Sequence, residues 1–110
     1  MTVPEAGRPR VAVLLPALNE ESALPLVLAD LAKVRGQGVP LDEVLVVDNG
    51  STDRTAQVAR EAGARVLHEP RRGYGRACLS GIDLLLGRCQ VQNGELPLEA
   101  LGSLDWIVFL

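Results

Sequence analysis

The chain has 110 residues and a formal net charge of −3, which fits one domain or part of one. Its basic residues form no long run, so the composition argues against a nucleic-acid-binding protein. No apolar run approaches the roughly 18–20 residues of a membrane-spanning helix, and the N-terminus lacks the apolar stretch of a secretory signal. Cys78 and Cys89 provide neither a disulfide framework nor a zinc-ligand spacing. We therefore expect a soluble chain in a cytoplasmic setting.

The first predicted elements are a strand and a helix. A polar lead-in, residues 1–9, precedes them and is expected to be flexible. Residues 10–15 form an apolar run that ends at Pro16, which predicts a buried strand. Apolar side chains then recur with helical spacing over residues 24–34, and Ser22 is the predicted N-cap of this helix.

The same alternation continues along the chain. Residues 44–47 predict a second strand, and after an Asn-Gly turn either Ser51 or Thr52 is the predicted N-cap of a second helix. Residues 65–68 predict a third strand, and apolar positions within residues 77–85 predict a third helix.

The last part of the chain is polar and then apolar. Residues 87–105 are broken by glycine and proline, whereas residues 106–110 predict a fourth strand. The resulting order, β-α-β-α-β-α-β, is typical of a parallel sheet with right-handed crossovers. The predicted fold is therefore α/β, of the Rossmann-like nucleotide-binding kind.

Polar clusters follow the first three predicted strands, at residues 16–21, 48–53 and 70–76. In an open parallel sheet, ligands bind at the carboxyl ends of the strands. Because these ends lie at one edge of the sheet, we expect the three clusters to meet in one cleft.

Several polar side chains have two interpretations. The carboxylate of Asp48 could accept a hydrogen bond from the ring N–H of uracil or guanine, or it could stabilise the Asn-Gly turn that follows it. Asn19 and Glu20 could bind ribose hydroxyls or cap the first helix, and spacing alone favours the cap. Asp53 suits the positive end of the second helix dipole, and His68, the single histidine, is interpreted as structural.

Arginines surround a Gly-Tyr-Gly segment at residues 73–75. Arg71, Arg72 and Arg76 could contact a diphosphate, because glycines let the backbone approach an anion and arginine pairs with phosphate oxygens. The alternative is a solvated basic loop. The segment matches the dinucleotide-binding fingerprint only weakly, because Cys78 stands in place of its third glycine.

Three segments together closely resemble glycosyltransferase family 2, and within it bacterial enzymes similar to dolichyl-phosphate mannosyltransferase. They are residues 13–21 (VLLPALNEE), 46–55 (VVDNGSTDRT) and 72–77 (RGYGRA). The resemblance runs from about Arg10 to Leu110. It implies a GT-A-type fold with strand order 3-2-1-4. It also implies transfer of a sugar from a nucleoside diphosphate donor to an acceptor, with a polyprenyl phosphate as the favoured acceptor.

The resemblance also implies a nucleotide-sugar site. In it, Glu20 would bind ribose hydroxyls and Asp48 would bind the base, with Ser51 nearby. Arginines and a glycine of the third cluster would border the diphosphate and the sugar. The implied binding residues are Pro16, Ala17, Glu20, Asp48, Ser51, Arg72, Gly73 and Arg76.

A divalent metal, Mg²⁺ or Mn²⁺, is implied for the full-length enzyme, held by an Asp-x-Asp segment after the fourth strand. Since this sequence stops before such a segment, we expect the catalytic residues and the metal site to lie beyond Leu110. Residues 10–110 would then be the donor-binding part of a truncated domain, inactive alone and prone to self-association through the fourth strand. The full-length enzyme could be membrane-associated.

Two other functions compete with this interpretation. A non-catalytic nucleotide-binding module would use the same fold and the same polar clusters. A dinucleotide-dependent oxidoreductase is disfavoured, because the glycine fingerprint that it needs after the first strand is missing at residues 16–21.

Overall fold

The computed structural model describes residues 10–87 and 105–110. Its elements follow the predicted order, which is thereby confirmed. The lead-in at residues 1–9 and nearly all of the polar stretch before the fourth strand lie outside the described residues. The elements are β1 (Val11–Ala17), α1 (Leu24–Gly36), β2 (Glu43–Asp48), α2 (Thr55–Glu61), β3 (Arg65–His68), α3 (Tyr74–Leu85) and β4 (Trp106–Phe109).

The four strands form one sheet in the order β3-β2-β1-β4, with all pairs parallel. Both the parallel pairing and the order expected from the family resemblance are confirmed. The chain adds β2 and β3 on one side of β1 and then crosses to place β4 on the other side. The direction of winding therefore changes beside β1, and in α/β sheets the crevice at the carboxyl ends of the strands near this point is the usual ligand site.

Side chains of β1 alternate between the two faces of the sheet. Val13 and Leu15 pack with α1 and α2 on one face, whereas Leu14 packs with α3 on the other. Gly81 permits the close approach of α3. A Cβ at this position would lie 2.4 Å from Leu14 Cδ1 and 3.0 Å from Val47 Cγ2. The result is a sheet between two helical layers, as expected for the predicted fold class.

The first strand is longer than predicted, because it continues through Pro16 to Ala17. Proline has no N–H to donate and is usually excluded from central strands. On the β4 side, the Leu14 carbonyl accepts a bond from Leu110 N–H, and on the β2 side the Ala17 carbonyl accepts one from Asn49 N–H. By this alternation Pro16 faces the β4 side, where it has no N–H for the next ladder bond, and the pairing of β1 with β4 ends at Leu14 and Phe109.

The predicted helix caps are wrong. Ser22 does not cap α1, whose N-cap position is Ala23, and neither Ser51 nor Thr52 caps α2, whose N-cap position is Arg54. Neither N-cap residue makes a side-chain capping bond. For α2 the reason is tertiary: the hydroxyls of Ser51 and Thr52 bind Asn19, in the loop after β1, instead.

Candidate functional site

Three loops meet at the carboxyl-terminal edge of the sheet, which confirms the expected convergence of the polar clusters. We call them loop A (residues 18–23, after β1), loop B (residues 49–54, after β2) and loop C (residues 69–73, after β3). Each loop leads into the next helix. Their mutual hydrogen bonds determine which polar groups remain available to a ligand.

Asn19 joins loop A to loop B. Its Oδ1 accepts a hydrogen bond from Thr52 N–H at 2.9 Å, and its own N–H donates to Ser51 Oγ at 2.9 Å. The residue has a φ of 53°, a left-handed conformation in which asparagine is enriched. The interpretation of Asn19 as a helix cap is therefore wrong, because its side chain fastens two loops together.

Loop B and the first residue of α2 also accept hydrogen bonds from the backbone that leads into α1. The N–H of Glu20 donates to Thr55 Oγ1 at 2.8 Å, and the N–H of Glu21 donates to Asp53 Oδ2 at 3.3 Å. Asp53 Oδ1 in turn accepts from both the N–H and the hydroxyl of Thr55. The hydroxyl bond is the main cause of the lowered pKa of Asp53. The predicted structural role of Asp53 is confirmed, but its predicted place in the first turn of α2 is wrong, because it precedes the N-cap residue Arg54. The same carboxylate supports loop A.

Asn49 joins loop B to loop C. It is buried, with an exposure of 6%. Its amide donates to the carbonyls of Glu69 at 2.9 Å and Arg71 at 2.8 Å, and its Oδ1 accepts from Gly73 N–H at 3.1 Å. Sequence reasoning treated this asparagine only as part of a turn. In the structure it uses both amide donors and its acceptor to fix the path of loop C.

Loop C has its own internal support in Glu69, which sequence reasoning also missed. Its buried carboxylate accepts bonds from Arg71 Nη2 at 2.8 Å and Nε at 3.2 Å, and from the Ser80 hydroxyl. The bonds from Arg71 are the largest of the influences that lower the pKa of Glu69 to about 2. Arg71, one of three arginines considered for a diphosphate, is thus committed to the loop. The available signal was a glutamate two residues before an arginine.

Three exposed charged groups at the loop edge have no partner among the described residues. Glu20, Arg72 and Arg76 are exposed, and within residues 10–87 and 105–110 none of their charged groups makes a hydrogen bond or ion pair. Arg72 lies near the turn of loop B, since a Cβ at Gly50 would be 3.5 Å from its Nε. In the described part of the chain, these three exposed groups are therefore available to a ligand.

Asp48 is almost completely buried, with an exposure of 5%. Its Oδ1 accepts a hydrogen bond from Ser51 N–H at 3.0 Å, so the turn-stabilising interpretation is confirmed. Its Oδ2 lies 3.4 Å from His68 Nδ1 on β3. A carboxylate has about four acceptor positions, and these two contacts leave room for a further donor. Binding of a base by Asp48 stays a prediction.

The other predicted binding residues are brought to the same edge. Pro16 and Ala17 form the last two positions of β1, and Ala17 pairs with Asp48 across the sheet. Ser51 lies in loop B, where its hydroxyl serves loop A. Gly73 occupies the N-cap position of α3 with a φ of 132°, a conformation that only glycine adopts without strain. The fold thus assembles all eight predicted residues along one edge, although it commits several of them to internal contacts.

The described residues do not fit a metal site. No group of three or more His, Cys, Asp or Glu side chains among them could hold a metal ion. Asp48, Asp53 and Glu69 each accept hydrogen bonds from protein groups. The expectation that the metal ligands lie beyond Leu110 stays a prediction. In the described part of the chain, no helix is long and apolar enough to cross a membrane.

Comparison with known proteins finds relatives that are glycosyltransferases. An uncharacterised glycosyltransferase of Mycobacterium tuberculosis is 51% identical over 73 residues, which cover 66% of this chain and 30% of the relative. A dolichyl-phosphate hexose transferase of Haloferax volcanii is 43% identical over 67 residues, which cover 61% of this chain and 28% of the relative.

A solved structure matches as well. It is glucosyl-3-phosphoglycerate synthase of Mycobacterium tuberculosis in complex with Mn²⁺, UDP and glucosyl-3-phosphoglycerate, with a TM-score of 0.67 and 31% identity. The match covers 96% of this chain and 34% of that one, so this chain spans about a third of the length of such relatives. The family profile described as Glycosyl transferase family 2 matches residues 12–91. The chain therefore belongs to glycosyltransferase family 2, with the α/β fold of its GT-A members.

Proposed function

We propose that loops A, B and C bind the nucleoside diphosphate part of a sugar donor, and that the enzyme to which they belong transfers the sugar to an acceptor. One observation carries the proposal. The three loops are fastened to one another largely through amide and hydroxyl groups, and among the described residues this leaves Glu20, Arg72 and Arg76 without protein partners. A ligand with hydroxyls and a diphosphate supplies the groups that these side chains lack.

In the proposed complex, each free group has a partner in the donor. The carboxylate of Glu20 accepts hydrogen bonds from the ribose hydroxyls. Arg72 and Arg76 pair with diphosphate oxygens, which arginine can meet with two parallel N–H bonds. Gly73 lets the diphosphate approach the N-terminus of α3, where unpaired N–H groups and the helix dipole favour an anion.

The base is assigned to Asp48. Its carboxylate has acceptor capacity left, and a uracil ring N–H is a suitable donor for it. The solved glucosyl-3-phosphoglycerate synthase complexes with UDP support a uridine nucleotide. We therefore propose a uridine diphosphate sugar as the donor class, bound against Pro16 and Ala17 at the end of β1, with Ser51 nearby.

The acceptor and the metal complete the proposal for the whole enzyme. A lipid phosphate is the proposed acceptor, supported by the dolichyl-phosphate hexose transferase among the relatives. We also propose that the enzyme is cytoplasmic and binds this lipid acceptor at the membrane surface. Donor turnover is proposed to need a divalent metal, as the Mn²⁺ in the solved relative suggests. When bound, such a metal neutralises the departing diphosphate. The donor-binding part is assigned to residues 10–110.

The proposal is tested by titrating the ¹⁵N-labelled 110-residue chain with UDP and recording amide chemical shifts, which detect weak binding. Shifts should concentrate in loops A, B and C. Asp48→Ala should weaken binding by about 1–3 kcal/mol, the range for losing a hydrogen bond to a charged group. Arg72→Ala should also weaken it.

The matched control is Arg65→Ala. Arg65 is an exposed arginine at the start of β3, at the opposite edge of the sheet, where it pairs with Glu43 at 3.2 Å. This variant should bind UDP like the wild type. Equal losses in Arg65→Ala and Arg72→Ala, or UDP shifts away from the three loops, would contradict the proposed site.

A further inference from the structure

His68 links the end of β3 to the proposed base-binding carboxylate. It pairs directly with Asp48 in the register of β2 and β3, and its Nδ1 lies 3.4 Å from Asp48 Oδ2. Its other ring nitrogen, Nε2, lies 2.8 Å from Arg60 Nη2 on α2. The imidazole therefore stands between a guanidinium group and a carboxylate.

The guanidinium of Arg60 determines where the imidazole proton lies. Arginine donates hydrogen bonds and accepts none, so at 2.8 Å Nε2 must act as the acceptor and carry no proton. A doubly protonated imidazole would direct an N–H at another N–H. The neutral ring then carries its proton on Nδ1, directed at Asp48 Oδ2.

The contact with Asp48 complements the bond on the other carboxylate oxygen. Ser51 N–H holds Oδ1 at 3.0 Å, while His68 Nδ1 faces Oδ2 at 3.4 Å. The second distance is long for a hydrogen bond, but the N–H dipole still favours the charged carboxylate and limits its rotation. His68 is also the more exposed partner, with its side chain 36% exposed against 7% for Asp48.

We propose that His68 is a positioning residue for donor recognition: Arg60 fixes its Nδ1–H tautomer, and that tautomer orients the Asp48 carboxylate toward the base. This inference rests on the proposed function, in which Asp48 binds the base. It assigns a role to a residue that sequence patterns indicated only as structural. The role concerns the base, so its loss should affect nucleotides more than bare diphosphate.

The tautomer can be observed directly, because His68 is the single histidine of the chain. A long-range ¹H–¹⁵N correlation spectrum of the 110-residue chain at neutral pH should show one neutral imidazole protonated at Nδ1. Arg60→Met should shift the population toward the Nε2–H form. Arg54→Met is the matched control, because Arg54 contacts Gln57 and Glu61 instead. An Nε2–H or doubly protonated imidazole in the wild type would overturn the inference.

Ligand binding provides the second readout. His68→Ala should weaken UDP binding about three- to tenfold, the range for one modest hydrogen bond, while inorganic pyrophosphate binding stays unchanged. His68→Asn should restore most of the UDP affinity, because its amide can donate from nearly the position of Nδ1. Amide spectra of each variant verify that the fold is retained.

The outcomes separate the two proposals. If the wild type binds UDP and His68→Ala binds it equally well, the positioning role is wrong and the donor site stands. Equal losses for UDP and pyrophosphate would also overturn the positioning role, because they indicate general damage to the loops. A wild type that binds neither UDP nor pyrophosphate contradicts the proposed function itself.

Discussion

Replacing Asn49 with alanine should loosen loop C and weaken the site that this loop helps to form. The substitution removes two donated bonds of 2.9 and 2.8 Å and one accepted bond of 3.1 Å. At about 0.5–1.5 kcal/mol for each bond, the free energy of unfolding should fall by about 1.5–4.5 kcal/mol. This is a large part of the roughly 5–15 kcal/mol that stabilises a typical domain.

Urea unfolding of the wild type and Asn49→Ala measures this loss. Asn49→Asp sharpens the test: it keeps the acceptor for Gly73 N–H but turns a carboxylate oxygen toward two carbonyls, so it should destabilise at least as much as alanine. Gln57→Ala is the control, because it truncates an exposed amide whose side-chain bond, within residues 10–87 and 105–110, is to Arg54. An unfolding free energy for Asn49→Ala within about 0.5 kcal/mol of wild type, the range of ordinary surface substitutions, would refute the reasoning.

Three further predictions concern other parts of the molecule. Because bonds from Arg71 lower the pKa of Glu69 from 4.5 to about 2, Glu69 should stabilise the fold above pH 4.5. That contribution should be lost as the pH falls from 4.5 to 2, and Glu69→Gln should lack this part of the pH dependence in urea unfolding. Gly81→Ala should destabilise by about 1–3 kcal/mol through overpacking, whereas Gly75→Ala in the same helix meets open space and should be neutral or slightly stabilising in thermal unfolding. Because Trp106 is 65% exposed on β4, the 110-residue chain should self-associate through this strand, and Trp106→Lys should reduce the effect in sedimentation velocity. A wild type that sediments as a monomer would contradict this last prediction.

The strands were predictable because their signal is local. Runs such as residues 44–47 are apolar over four positions, and the structure has β2 at Glu43–Asp48. Strand order could not be predicted from local sequence. The alternation of elements indicated parallel pairing, but only the family resemblance supplied the order β3-β2-β1-β4. The end of β1 was misplaced, because the missing N–H of Pro16 faces β4 where their pairing ends, while pairing with β2 continues through Pro16 to Ala17.

The hydrogen bonds of the site could not be read from sequence, because they join residues far apart in the chain. Asn19 and Thr52 are separated by 33 positions, and Asn49 and Gly73 by 24. Capping rules consider only the few residues around a helix start, so they assigned Ser22 and Thr52 to their own helices. Which serine, threonine or asparagine reaches a neighbouring loop depends on the strand pairing that sets the loops side by side.

Neutral amide groups hold the loops together while charged groups stay exposed, and this explains how one edge of the sheet can be both rigid and available to a ligand. Asn19 and Asn49 hold the loops through neutral amide groups, which supply donors and acceptors without creating a charge that a ligand would have to displace. The charged residue that supports loop C, Glu69, is buried and already neutralised by Arg71. Arg72, its neighbour in sequence, is left with an exposed charge held on a fixed backbone. A guanidinium whose backbone is already ordered loses less conformational entropy on pairing with an anion, and this favours binding of a diphosphate at the loop edge.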